Sequence, residues 1–357
     1  MYRELTATVL SIYYEDEDIQ KLETDKGANK AILYKRLCPR TDVGDQVIVN
    51  VTATDLLLGT GGWDFVVSHR NKVLHWTTEN DGHIMKARYT PIQHSVQTVE
   101  SQESEYHHLF EQPFSLEGRP IWIAELHSMV PLFFALLQVY DPKKRLCVII
   151  DDQASLPLYL SDQIREMKKN PNLITITVGQ AFGGDFEAIT IASAIQFAYH
   201  ILKVDCILIS VGPGVVGSGS YYGFTGMIQA HWSHIISGLG GQPVWIPRIS
   251  FFDKRNRHYG LSHHTLTTLC EFTFKPAFVP FPVMEQTKLK RIKQQLFERE
   301  PHACSHRFIF STVAVANWVT EALNWTSLPI YSMGRTFEED PLFFCAVAEA
   351  LRFGLEQ

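Results

Sequence analysis

Twelve residues of the sequence, from Asp253-Lys254-Arg255-Asn256-Arg257-His258 to Tyr259-Gly260-Leu261-Ser262-His263-His264, gather cations and imidazoles in a chain whose formal net charge is -6. Arg248 stands just upstream. A guanidinium donates two parallel hydrogen bonds to a phosphate or carboxylate, so Arg248 and Arg257 are candidate anion ligands. For Lys254 and Arg255 a solvated surface position is the simpler expectation. Ser262 has the type and place of a helix N-cap ahead of Leu266 and Leu269, which puts His263 and His264 in the first turn. A helix N-terminus disfavours imidazolium, leaving a neutral ring available as base, hydrogen-bond donor or metal ligand. Neighbouring helical residues point about 100° apart, so one of the pair is expected to face a ligand. The spacing is not HExxH, and no Cys/His set has zinc-finger order, which leaves zinc as one option only.

Two glycine loops could contribute backbone donors. Gly212-Pro213-Gly214-Val215-Val216-Gly217 fits G-x-G-x-x-G after a strand-like run, and Ser218, Ser220 and Thr225 follow it. No helix start lies inside the motif, no acid stands about 20 residues on, and there is no Gly-Lys-Ser/Thr, so neither a dinucleotide fold nor a Walker-type site is indicated. The remaining options are an anion-cradling loop and a tight connection that needs glycine for packing. The second loop, Gly179-Gln180-Ala181-Phe182-Gly183-Gly184-Asp185, could converge on the same crevice. Asp185 is expected to cap a helix starting at Phe186 or Glu187, with ligand or metal binding as the other role.

Glu125 and His127, two apart at a strand end, are expected on one face of a sheet, where a carboxylate could orient the ring as a general base. Self-satisfaction of a buried pair is the plainer reading. Asp151 and Asp152 should face opposite ways in a continuing strand, making at most one, Asp151, a metal candidate through magnesium. There is no G-x-S-x-G and no cysteine beside a histidine, so an activated nucleophile is not legible.

These residues need elements to hold them. From Pro120 onward, β-type runs (PIWIAEL, RLCVIID, LITITV, DCILISV, PVWIPRI, PAFVPFP, RFIFST and LPIYSM) alternate with helical segments. Strands apolar on both faces, separated by helices, predict a doubly wound, mostly parallel α/β domain over 119–357. In such a sheet ligands collect beyond the carboxyl ends of the strands, which is where the polar and glycine-rich segments fall. The last helix is expected to start at Asp340 as N-cap with Pro341 at its first position. Residues 1–70 alternate in short runs (LTATVLSI, NKAILYK, DQVIVNVTA) with turns at 25–27 and 43–45, predicting a small β barrel or sandwich; Gly59, Gly61 and Gly62 would bend the chain before a strand at 63–67. A connector, 71–118, holds one expected strand at 83–89.

The phrases TVGQAFGGD, VGPGVVGSGSYYGFTG and RISFFDKRNRHYGLSHHT, with the β module before them, resemble the uncharacterised bacterial family catalogued as domain of unknown function 3866. That resemblance covers most of the chain and implies a cytoplasmic protein of Gram-positive type bacteria without an assigned activity. It carries over no catalytic residue.

Of 357 residues, 45% are hydrophobic and 20% charged, enough for a large core. Net negative charge opposes nucleic acid as partner, although Lys30, Lys35, Arg36 and Arg40 could form a basic face against the acidic run 15–18. The most apolar stretch, 129–140, is too short for a bilayer, and the N-terminus lacks signal-peptide regions, so no membrane partner and a cytoplasmic location are expected. The six cysteines, Cys304 among them, show no CxxC pairing and read as reduced core residues. Together these features predict an enzyme-like protein that binds a small anion, phosphorylated or carboxylated. Its cofactors are unknown, and a non-catalytic metabolite sensor or a homodimeric scaffold is the competing reading.

Overall fold

The computed structural model describes residues 2–58, 61–74, 82–152, 154, 156–299 and 306–357. The chain forms two compact units, one of Met1–Asp81 with Thr90–Ile92 and one of Gly82–Tyr89 with Gln93–Gln357.

In the first unit, β1 (Glu4–Glu15), β2 (Ile19–Thr24), β3 (Lys30–Tyr34), β4 (Gln46–Asn50) and β5 (Asp64–His69), with the short helix α1 (Thr52–Asp55) between the last two, close into a barrel in the order β1-β2-β3-β5-β4. Closure leaves no unpaired edge. The long β1 pairs with β4 through its first half and with β2 through its second. Register shifts between Val9 and Ser11 and between Ile12 and Tyr14 bend it around the corner. Period-two patterning then turns Val9, Leu22, Leu33, Val47 and Val49 inward. Gly27, in the expected turn, has φ +74°, and a methyl there would lie 2.1 Å from the Asp64 carboxylate, which accepts from the Ala28 amide and the Thr54 hydroxyl. Gly59 lies outside the described residues. Of the basic residues of this module, Lys35 and Arg40 both pair with Glu15.

In the second unit, β6 (Ile84–Lys86) and β7 (His94–Val96) form a two-stranded antiparallel pair. The main sheet then takes β8 (Pro120–Ala124), β9 (Leu146–Asp151), β10 (Leu173–Val178), β11 (Phe186–Ala188), β12 (Cys206–Ser210) and β13 (Gln242–Ile246). After a short pair, β14 (Ile249–Ser250) with β15 (Gly260–Leu261), it adds β16 (Phe278–Phe281) and β17 (Arg307–Phe310). The order is β11-β10-β9-β12-β8-β13-β16-β17, and every pairing is parallel.

Both faces of this sheet are covered, because side chains of successive strand residues alternate between two cores. In β8, Ile121 and Ile123 face one core while Trp122 and Ala124 face the other. The first core is covered by α4 (Ile191–Phe197), α5 (Ile228–Gly238), α6 (His263–Phe272) and α7 (Gln286–Phe297). The second lies under α2 (Met129–Tyr140), α3 (Asp162–Met167), α8 (Ala316–Trp325) and α9 (Pro341–Leu355). The doubly wound α/β architecture and the N-terminal barrel therefore agree with the sequence. The apolar stretch 129–140 is α2, buried from Met129 to Gln138 against the sheet, α8 and α9. An all-round apolar helix is the pattern of an interior element, each fully buried Leu or Phe contributing about 1.5–3 kcal/mol. No helix among the described residues is long and apolar enough to cross a membrane.

Three local expectations are corrected. LPIYSM forms no strand of the sheet; Ser332 makes an isolated bridge with Arg335. Asp340 is the N-cap residue of α9 and Pro341 its first helical residue, as expected, but the side-chain cap is not made: the carboxylate accepts from Ser250 Oγ at 2.6 Å and pairs with Arg335 at 3.3 Å. Asp185 caps no helix, since β11 begins at Phe186. Its carboxylate takes the Thr175 amide and hydroxyl at 2.8 and 2.7 Å, and Thr190 caps α4.

Candidate functional site

Because the strands are parallel, their carboxyl ends share one edge. The chain leaves β8 and β9 for the face of α2 and α3, but leaves β12 and β13 for the face of α5 and α6. As β8 lies between β12 and β13, neighbouring connections part in opposite directions, which is where doubly wound sheets open a crevice. Glu125 and His127 follow β8, Asp152 follows β9, Gly179 follows β10, Gly212 follows β12 and Arg248 follows β13.

The floor between β8 and β13 is an ion pair. Arg248 Nη1 donates to Glu125 Oε1 at 3.1 Å, and the Thr265 hydroxyl donates to Oε2 at 2.6 Å. Glu125 is 1% and Arg248 5% exposed, so the guanidinium expected to meet an anion is engaged inside the protein. Burial alone would raise the Glu125 carboxyl, but His264, Arg248 and Thr265 overcome it and hold the group at about 2.

Above this floor three imidazoles meet. The segment between β14 and β15 is closed at its neck by Gln295 of α7, which bonds both the amide and the carbonyl of Leu261. Gly260, at φ +89°, leaves no room for a side chain there, because a methyl would lie 2.4 Å from Gln295 Oε1. This neck carries His258 to the start of α6, where Ser262 caps the helix by accepting from the His264 amide at 3.2 Å. His258, His263 and His264 each present a ring nitrogen within 4.8 Å of the other two. Both members of the His263–His264 pair thus reach one place, where helical spacing alone predicted one. Their rings pack face to edge with centroids 4.4 Å apart, and Phe224 stacks on His264 at 4.0 Å. His258 accepts from Arg257 Nε at Nε2 (3.2 Å) and donates from Nδ1 to Ser262 Oγ (2.8 Å). His264 Nδ1 lies 3.5 Å from Glu125, and His263 Nε2 is buried without a hydrogen-bond partner among the described residues. Burial, then His264 and Arg257, pushes His263 down to about 4; burial, then Arg248 and His264, pushes His258 down to about 3.

The first glycine loop borders this cluster. It is an internally bonded hairpin: Ser218 N donates to Gly223 O, Thr225 N to Val216 O, and the Ser218, Ser220 and Thr225 hydroxyls bond within the loop. The helix α5 begins at Ile228, well beyond Gly217. A methyl at Gly217 would lie 3.6 Å from His264 Cε1, and one at Gly219 would lie 2.9 Å from Arg257 Nη1. Among the described residues, no acceptor takes the amides of Gly214, Gly217 and Gly219.

The second loop has its groups engaged. Gly183 N donates to Glu187, Gly184 N to Thr177 Oγ1 and Asp185 N to Thr175 Oγ1, while Ala87 N donates to the Gln180 side chain. Lys86, fully buried, donates to the carbonyls of Gly179 and Ala181 and pairs with Glu187 at 3.1 Å. Gly179 still abuts the rim, since a methyl there would lie 3.6 Å from Asp151 Oδ1.

Asp151 and Asp152 line one cavity of about 210 Å³ with Val211, Gly214, Val216 and Thr225. They do not diverge, because β9 ends at Asp151 and strand alternation ends with it. Asp151 accepts from the Trp232 indole at 2.7 Å and is raised by burial; Asp152 accepts from the Gly212 and Ala154 amides. A larger cavity of about 590 Å³ opens beside the α3 C-terminus and Trp325, where Glu166 and Lys169 pair with each other. It holds no group of the candidate site.

Glu125 and His127 do not pair. Past Ala124 the strand has ended, and His127 donates from Nδ1 to Val211 O (3.2 Å) and accepts at Nε2 from Ser161 Oγ (2.8 Å). Burial pushes this imidazole down to about 4, and with both nitrogens engaged it ties three segments together. Ser161, 7% exposed and capping α3, is not presented as a nucleophile.

Sequence reasoning passed over His258, Thr265 and Lys86. His258 stands within the basic stretch and had a signal there, the nearness of a third imidazole; Thr265 and Lys86 had none. Cys304 lies outside the described residues, and the five described cysteines are buried free thiols. No curated protein and no solved structure matches the chain. The family model for a protein of unknown function (DUF3866) matches residues 30–351, most of both units, and the chain belongs to that family.

Proposed function

We propose that the protein is an enzyme-like α/β protein that binds a small molecule through its phosphate or carboxylate group at the carboxyl edge of the sheet. One observation carries this reading: Gly217 and Gly219, whose amides find no acceptor among the described residues, stand beside His264 and Arg257. Amides, an exposed guanidinium and imidazole N–H groups are donors suited to an anion. Arg257 provides the charge, since Arg248 is held by Glu125. His263, neutral at physiological pH, offers its ring as a hydrogen-bonding or metal-ligating group beside a bound ligand. The adjoining cavity, with Asp151, Asp152 and Thr225, favours a hydrogen-bond-donating remainder such as hydroxyl or amine. Buried free thiols suit a reducing, cytoplasmic setting.

The test is calorimetric titration of the full chain with inorganic phosphate and a panel of phosphorylated and carboxylated metabolites. Arg257→Gln should weaken binding about tenfold or more, the scale of one charge-assisted hydrogen bond. Absence of binding across the panel, or equal affinity in Arg257→Gln and His263→Ala, refutes the reading. Turnover of a bound compound would separate an enzyme from a non-catalytic metabolite sensor.

A further inference from the structure

We propose that His258, His263 and His264 form a binding site for one divalent transition-metal ion of the zinc class. The inference deepens the functional reading, because such an ion would give the anion its first partner, yet it can be tested separately.

Three imidazoles from two segments converge so that a ring nitrogen of each lies within 4.8 Å of the others. Imidazole suits zinc, cobalt, nickel and iron, whereas magnesium and calcium require oxygen donors. Asp253, the carboxylate of the same stretch, is held by Arg255 and Arg335. Two of the three rings also stand beside groups of the kind that support metal-bound histidines. Ser262 Oγ takes the Nδ1 proton of His258, which leaves the lone pair on Nε2, and Glu125 stands 3.5 Å from His264 Nδ1. Phe224 stacked on His264 fixes that ring's plane. His263 Nε2 is buried with no hydrogen-bond partner among the described residues, an uncompensated atom that coordination would satisfy.

Arg257 Nε, 3.2 Å from His258 Nε2, is the positive group now at this lone pair. It belongs to an exposed side chain, so an incoming ion can displace it. The displaced guanidinium would remain beside Gly219. Glu125 and Arg248 cancel in charge, so a loaded cluster of three neutral ligands keeps the ion's double charge. Three protein ligands also leave a coordination position open, as in catalytic and not structural zinc sites. An anion is the natural occupant of that position.

The experiment strips the full chain with a chelator, removes the chelator, and titrates with Co²⁺ by visible absorption and with Zn²⁺ by calorimetry. The expected result is one equivalent of Co²⁺ with ligand-field bands that Zn²⁺ abolishes. His258→Ala and His263→Ala should each weaken binding by more than about a hundredfold, beyond the roughly 10–100-fold span of outer-shell changes, while His200→Ala leaves it unchanged. His263→Gln, at a half-exposed position, preserves volume and decides the matter should His258→Ala fail to fold. No cobalt spectrum in the folded protein, or unchanged affinity in both His263 variants, overturns the site. Phosphate binding to the stripped protein that requires Arg257, without cobalt binding, removes the metal and leaves the functional reading; cobalt binding with no anion affinity in either form does the reverse.

Discussion

Substituting Glu125→Gln removes one charge from a pair in which Glu125 is 1% and Arg248 5% exposed. The side chain keeps its volume, and its amide oxygen can still accept from Thr265, so the perturbation isolates the charge. Two routes give the magnitude. Leaving one member of a buried pair without its partner costs about 3–5 kcal/mol. Independently, the gap between a free carboxyl at 4.5 and about 2 in the fold corresponds to about 3 kcal/mol of preference for the charged form. The folded value is depressed, so this stability is present above pH 4.5 and lost as pH falls toward 2. At neutral pH, Glu125→Gln should lower the melting temperature of the second unit by roughly 6–20 °C, at about 2–4 °C per kcal/mol for a unit of this size. Adding Arg248→Met removes the orphaned cation and should recover most of the loss. Urea unfolding followed by near-UV circular dichroism measures both variants. A single variant within about 1 kcal/mol of the parent, or a double variant no more stable than the single, would show that the pair does not hold the site's floor.

His127 gives a pH prediction of the same kind. Its folded value, about 4, lies below the 6.5 of the free ring, so stability is complete above pH 6.5 and declines toward pH 4 as the unfolded chain takes up the proton. His127→Gln should flatten that decline by up to about 1.4 kcal/mol per pH unit, and an unchanged slope would mean that the ring is not held neutral. Gly184→Ala should cost about 1–3 kcal/mol, because the new methyl would lie 2.7 Å from Phe186 O and 2.8 Å from Thr177 N. A neutral outcome in urea unfolding would show that the second glycine loop is free to move and not held by packing.

How much of this was legible in the sequence depends on the range of the interaction. The Ser262 cap was readable because a capping hydroxyl and its amide lie two residues apart. Strand-and-helix alternation was readable because apolar faces recur with fixed periods. Asp185 misled because an acid before a turn looks like a cap, whereas its partner, Thr175, stands on the preceding strand. Glu125 and His127 misled because alternation was carried past Ala124, where the strand ends. The two glycine loops look alike in sequence and differ in the fold: one is held by Lys86, Glu187, Thr175 and Thr177, and the other stands beside His264 and Arg257 with the amides of Gly217 and Gly219 unengaged among the described residues.

The sequence by itself determined the layers and the edge. Periodicities of two and 3.6 fix which residues enter a core, and an all-parallel sheet must put its strand exits, with their glycines, acids and imidazoles, on one side. Only the tertiary structure decided which of those groups are engaged with one another. Arg248 meets Glu125 across 123 residues, and Lys86 meets the carbonyls of Gly179 and Ala181 across 93 and 95. The reason is physical: a buried charge must find its partner within a few ångströms, and that partner is chosen by strand order, which adjacent residues do not encode.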